Sequence, residues 1–130
     1  MPAAPEVIKA LEAFVDAFNV GDSKAMGGVF ASTRDVLGIG TDPGEWWAGR
    51  DRLLSVIETQ LREMAGARFE FGETAGSDRW VAAKCAITMP DGTAVAGRVT
   101  VVCTADGHIE HFHFSVGVAN EDLIGQALTT

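Results

Sequence analysis

The chain contains no tyrosine and only two cysteines, and its ten lysines and arginines are outnumbered by eighteen aspartates and glutamates. Each shortage closes off a class of protein. Without tyrosine, no phenolic hydroxyl is available to donate a hydrogen bond to an oxyanion. A formal charge of −8 and an isoelectric point near 4.7 repel phosphates, so neither nucleic acid nor an anionic membrane is an expected partner. The cysteines, Cys85 and Cys103, suit a reducing cytoplasm, the expected location. No apolar run approaches the roughly 20 residues that cross a bilayer. The opening Met1-Pro2-Ala3-Ala4-Pro5-Glu6 lacks the basic region and long apolar segment of a signal peptide. No Gly-rich phosphate loop or dinucleotide fingerprint occurs, so no cofactor is expected.

What is present is ordinary globular material. With 130 residues, 47% apolar and 22% charged, the chain reads as a single domain over 1–130 with one buried core. Val7, Ile8, Leu11, Phe14, Val15 and Phe18 recur at helical spacing, with Pro5 in the first turn and Gly21 as the stop. Ser23 reads as the N-cap of a shorter helix reaching Phe30. A short strand over Val36 to Thr41 leads into Asp42-Pro43-Gly44, which is turn chemistry. A third helix follows Gly49, with Leu53, Leu54, Ile57, Leu61 and Met64 as its apolar stripe and Gly66 as its end. From Ala67 onward the pattern becomes that of strands, at about 67–74, 79–89, 94–104 and 108–118. Pro90-Asp91-Gly92 and Ala105-Asp106-Gly107 connect the last three as hairpins. Helices first and a strand meander afterwards predict an α+β fold, a curved antiparallel sheet with helices against one face.

The hairpin loops set an expected register. As three-residue loops with Gly in the left-handed position, they place Lys84 opposite Arg98 and Thr100 opposite Phe112. One face then carries Trp80, Ala82, Lys84, Ala96, Arg98, Thr100, Glu110, Phe112, Phe114 and Val116. The other carries Val81, Ala83, Cys85, Ile87, Val99, Val101, Cys103, Ile109, His111, His113 and Ser115. Both faces are substantially apolar, and one layer of helices covers only one of them. A homodimer packed through the outer sheet face is therefore expected. Lys84 and Arg98, like charges facing each other across two strands, call for an acidic neighbour or an anionic ligand.

Three stretches carry a resemblance: Gly40-Thr41-Asp42-Pro43-Gly44-Glu45-Trp46-Trp47-Ala48-Gly49, then Arg98-Val99-Thr100-Val101, and His113-Phe114-Ser115-Val116-Gly117-Val118-Ala119-Asn120. With them the chain resembles the SnoaL-like branch of the nuclear transport factor 2-like, or ketosteroid isomerase-like, superfamily. The resemblance implies a cone-shaped, cystatin-like α+β barrel, a pocket between the helices and the concave sheet face, and often a dimer. It spans isomerases, cyclases, hydrolases, dehydratases and non-catalytic association domains, so it does not choose a function. Asp42-Pro43 is similar in place to the base of the ketosteroid isomerases. The strand position of their second acid falls near Arg98 or Val99, which cannot replace it.

These readings give a candidate site. Asp42 is the candidate catalytic base. Arg98 and Lys84 would hold an anionic or carbonyl group, with Thr100 on their face, and Trp46, Trp47, Trp80, Phe112 and Phe114 would line the apolar part. Arg98 equally reads as the partner of Asp42, Glu45 or Glu73 in a salt bridge. His111 and His113 have metal-site spacing, but the register turns them away from the pocket and no acid shares their strand face, so no metal is expected. The expected function is cofactor-independent proton transfer on a small carbonyl or carboxylate compound by an isomerase, cyclase, hydratase or hydrolase. The competing reading is a non-catalytic ligand-binding or association module.

Overall fold

Gly38 lies so close beneath the helix that carries Leu53 that a methyl group there would run into the Leu53 side chain. The computed structural model of the chain describes residues 1–33 and 35–117. Helix α1, Pro5–Val20, buries Val7, Ala10, Leu11, Phe14, Val15, Ala17 and Phe18 along one side. It stops where Gly21 takes φ 69°, and the N–H groups of Gly21 and Asp22 close on the carbonyls of Phe18 and Ala17. Helix α2, Ser23–Val29, is capped by Asp22, whose Oδ1 accepts the Ala25 N–H at 3.0 Å. Asp22, not the expected Ser23, is the cap, because Ser23 already belongs to the first helical turn. Helix α3, Arg50–Glu63, follows Gly49 and buries Leu53 and Ile57.

The strands are β1 Leu37–Ile39, β2 Trp46–Ala48, β3 Arg68–Gly76, β4 Trp80–Thr88, β5 Ala94–Cys103 and β6 Ile109–Val116. They form one open sheet in the order β2-β1-β6-β5-β4-β3, with β2 and β3 as its edges. The fold is α+β, as expected, although the sheet is mixed: β1 runs parallel to β6, and the remaining pairs are antiparallel. The tandem tryptophans belong to β2 and pair with Ile39 and Gly38.

The first hairpin keeps its expected register, with Lys84 opposite Arg98 and Trp80 opposite Val102. Its loop closes through the Gly92 N–H on the Met89 carbonyl, with Gly92 at φ 89°. The second hairpin begins as expected, with Gly107 at φ 84° and Cys103 opposite Ile109. It then shifts by one residue: Val102 faces His111, which leaves Glu110 without a partner in β5. This is a β-bulge, and it turns over every later side chain of β6. Phe112 and Phe114 consequently stand opposite Val101 and Val99, not opposite Thr100 and Arg98. Val81, Ala83, Cys85, Ile87, Val99, Val101, Cys103, Ile109 and Phe112 are all buried beneath the helices. Trp80, Lys84, Arg98, His111 and His113 are exposed on the opposite face, with Ala82, Thr100 and Val102 half-buried between them.

Among the described residues, no helix is long and apolar enough to cross a membrane.

Candidate functional site

The site is built around the turn that joins β1 to β2. The Gly40 N–H donates to the Glu45 carbonyl at 2.9 Å, and the Glu45 N–H donates to the Asp42 carbonyl at 2.8 Å. The Glu45 side chain folds back over this turn, and its Oε1 accepts the Asp42 N–H at 2.7 Å. A β-carbon at Gly40 would lie only 2.8 Å from the β-carbon and Oε1 of Glu45, so glycine is what lets Glu45 fold there. Thr41 Oγ1 accepts the Val116 N–H at 2.8 Å, tying the turn to the end of β6.

This turn forms the mouth of a cavity of about 320 Å³ between the helices and the inner sheet face. Phe14 and Phe18 come from α1, Leu53, Ile57 and Gln60 from α3, and Met64 from just beyond α3. Trp47, Phe69, Ile87, Phe112, Phe114 and Val116 come from the strands, and Gly40, Thr41, Asp42 and Glu45 from the turn. The rings hold one another: Phe14 and Phe112 are 4.5 Å apart between centroids, and Phe69 stands 5.7 Å from both Phe18 and Phe114. Such a chamber has the size and apolar character of a small-ligand site, with a few polar groups gathered at one end. A wider depression of about 540 Å³ lies between α1, α2 and the β5–β6 loop, lined by Glu6, Lys9, Asp106 and His108. It is a surface groove, and its Asp106 is already engaged by the Thr104 hydroxyl and by His108 in closing the hairpin.

Of the residues singled out from sequence, Asp42, Trp47, Phe112 and Phe114 meet at this cavity. Trp46 points away on β2 and is 61% exposed. Trp80, Lys84, Arg98 and Thr100 do not reach it, because alternation along β4 and β5 puts them on the outer face. The sequence reading grouped them with Phe112 and Phe114 only because it continued the second hairpin without the bulge. Lys84 instead pairs with Glu73 at 2.7 Å on the solvent side. The hydrogen bond and the charge of Lys84 hold the Glu73 carboxyl below its ordinary range. That pair supplies the acidic neighbour that the Lys84–Arg98 juxtaposition requires. Glu45, Thr41, Gln60 and Phe69 line the cavity without having been singled out as site residues. For Glu45 a signal existed: a second acid three residues after Asp42 across a Pro-Gly turn.

Cys85 and Cys103 are free and buried. Burial pushes the Cys85 thiol up to about 11 and raises that of Cys103 as well, so neither is a ready nucleophile at neutral pH.

Residues 7–119 match the family model for the SnoaL-like domain. The chain is a member of the SnoaL-like family. Solved structures share its fold. An NTF2-like protein of unknown function from Mesorhizobium loti superposes with a TM-score of 0.71 at 21% identity, covering 91% of this chain and 100% of its own. The epoxide hydrolase/cyclase-like enzyme SalBIII, which has a role in pyran ring formation in the polyether salinomycin, gives a TM-score of 0.73 at 17% identity over 87% of this chain and 92% of its own. A protein of unknown function with a cystatin-like fold from Methylobium petroleophilum gives 0.72 at 14% identity over 96% of this chain and 80% of its own. No curated protein matches the SnoaL-like chain in sequence. At such identities the neighbours establish the fold, and function has to be argued from the site.

Proposed function

We propose that this SnoaL-like protein takes a small, largely apolar molecule into its cone, and that Asp42 at the mouth accepts a proton from it without help from a cofactor. The observation that carries this reading is the placement of Asp42 and Glu45, together on one turn, in the lining of a ring-rich cavity of about 320 Å³. An apolar chamber orients a substrate by shape, and a carboxylate at its rim is suited to general base work. Isomerisation and cyclisation begin with such a transfer from the substrate, whereas in hydration and hydrolysis the same carboxylate would take the proton from the attacking water. The anionic ligand expected from Lys84 and Arg98 loses its support, since both side chains belong to the solvent face.

The test combines binding with turnover. Small enones, epoxides and ketones are screened for thermal stabilisation, and those that bind are assayed for conversion by wild type and Asp42→Asn. The expected result is retained stabilisation with turnover reduced at least about a hundredfold, the lower range for losing a general base. Unchanged turnover in Asp42→Asn would sink the catalytic reading.

A second reading rests on the outer face. There Trp80, Ala82, Ala96, Thr100 and Val102 form an apolar surface without helical cover, interrupted by Lys84 and Arg98. This supports a homodimer packed sheet to sheet, in which the protein serves as an association module as well as a binding one. Light scattering should give a dimer mass at micromolar concentration, with Trp80→Glu shifting it to monomer. A wild-type monomer under those conditions would dismiss the dimer.

A further inference from the structure

The charged groups lining the cone are Asp42 and Glu45, and none of its described lining residues is a lysine, arginine or histidine. The sequence after Gly117 contains Glu121 and Asp122 and no lysine, arginine or histidine. Beneath the two carboxylates lie Phe14, Phe18, Trp47, Phe69, Phe112 and Phe114. Aromatic faces carry a negative quadrupole and attract cations.

Glu45 is held in place for such a role. It is half-buried, its Oε1 is fixed by the Asp42 N–H at 2.7 Å, and its other carboxylate oxygen makes no hydrogen bond among the described residues. Asp42, beside it, is exposed.

Three classes of ligand fare differently in this chamber. An anion would meet two like charges and, among the described residues, no compensating cation. A neutral apolar molecule would fill the rings but leave the carboxylates in water. A protonated amine with an apolar body would satisfy both ends, with charge-assisted hydrogen bonds at the mouth and apolar contact with the rings. Resting on the reading of the cone as the ligand site, we infer that its ligand is an organic cation, an apolar amine bound as the ammonium. Glu45 is the group that selects it, and Asp42 stays available beside it as the proton acceptor.

Isothermal titration calorimetry at pH 7 with 2-phenylethylammonium, 2-phenylethanol and 3-phenylpropanoate tests this. The probes share a ring and differ in charge. Wild type should bind the ammonium roughly tenfold more tightly than the alcohol, with the carboxylate weakest. Glu45→Gln and the double variant Asp42→Asn/Glu45→Gln keep the shape of the turn, and their thermal midpoints confirm folding. In the double variant the ammonium should fall to about the affinity of the alcohol, while alcohol binding persists. An alcohol or carboxylate bound as well as the ammonium by wild type, or an ammonium preference surviving in the double variant, would overturn the inference and leave the cavity reading standing. Binding of none of the three probes would remove the cavity reading and this inference with it.

Discussion

The side-chain amide of Asn19 pairs with the backbone of Phe69 as a neighbouring strand would: Nδ2 donates to the Phe69 carbonyl at 2.9 Å, and Oδ1 accepts the Phe69 N–H at 2.6 Å. Phe69 lies on β3, an edge of the sheet, where these groups would otherwise have no strand partner. The last turn of α1 thereby caps the edge strand and fixes a ring of the cavity wall.

Asn19→Ala removes both hydrogen bonds and leaves the Phe69 amide partly buried. Stability should fall by about 1–3 kcal/mol, the usual range when a buried polar group loses its partner. Urea unfolding monitored by circular dichroism measures it, and Asn19→Ala with an unchanged midpoint would show that the amide pair contributes nothing.

Gly40→Ala tests the mouth. The added methyl meets the Glu45 side chain at 2.8 Å, so Glu45 must leave its place over the turn. The Asp42 N–H then loses its acceptor. Affinity for any ligand that Glu45 holds should drop as far as in Glu45→Gln, while stability changes by about 1–3 kcal/mol for an overpacked contact. Titration of both variants with the same ligand gives the comparison. An unaltered affinity would mean that Glu45 takes no part in binding.

The bulge in β6 makes opposite predictions for two residues that the sequence grouped in one site. Trp47→Ala, in the cavity wall, should weaken apolar ligands roughly tenfold through the lost ring contact. Arg98→Ala, on the outer face, should leave their affinity unchanged. If Arg98→Ala abolished binding, the site would have to be sought on the outer face.

The Cys85 thiol titrates far above its ordinary value of 9.0, at about 11, because burial disfavours the thiolate. Between those values the unfolded chain has lost its proton and the folded chain has kept it, so the folded state binds more protons and stability falls as pH rises. The contribution is complete below pH 9 and is lost on the way to pH 11. Thermal midpoints measured over that window should decline less steeply in Cys85→Ala than in wild type. Native protein at pH 8 should also react slowly with a thiol reagent, and unfolded protein at once.

Much of the architecture was written in local chemistry. Helical spacing from Val7 to Phe18, Gly21 as a left-handed stop and the two Asp-Gly loops each determined a structure from a few neighbouring residues, and the family resemblance followed from three short stretches. Asp42 at the mouth was legible for the same reason, since Asp-Pro-Gly announces its turn wherever it occurs. The membership of the site was not local. One unpaired residue, Glu110, decides whether Phe112 and Phe114 share a face with Thr100 and Arg98 or with Val101 and Val99. Without the bulge, β6 would have to expose both rings or β5 would have to bury Arg98. Fully burying a phenylalanine is worth about 1.5–3 kcal/mol, and buried Phe112 together with half-buried Phe114 outweighs one interrupted step of the strand ladder. The alternation His111-Phe112-His113-Phe114 stated the preference of β6, and Arg98-Val99-Thr100-Val101 that of β5. Only packing the two strands against the same helices showed that both could be satisfied, at the expense of one residue left out of the ladder.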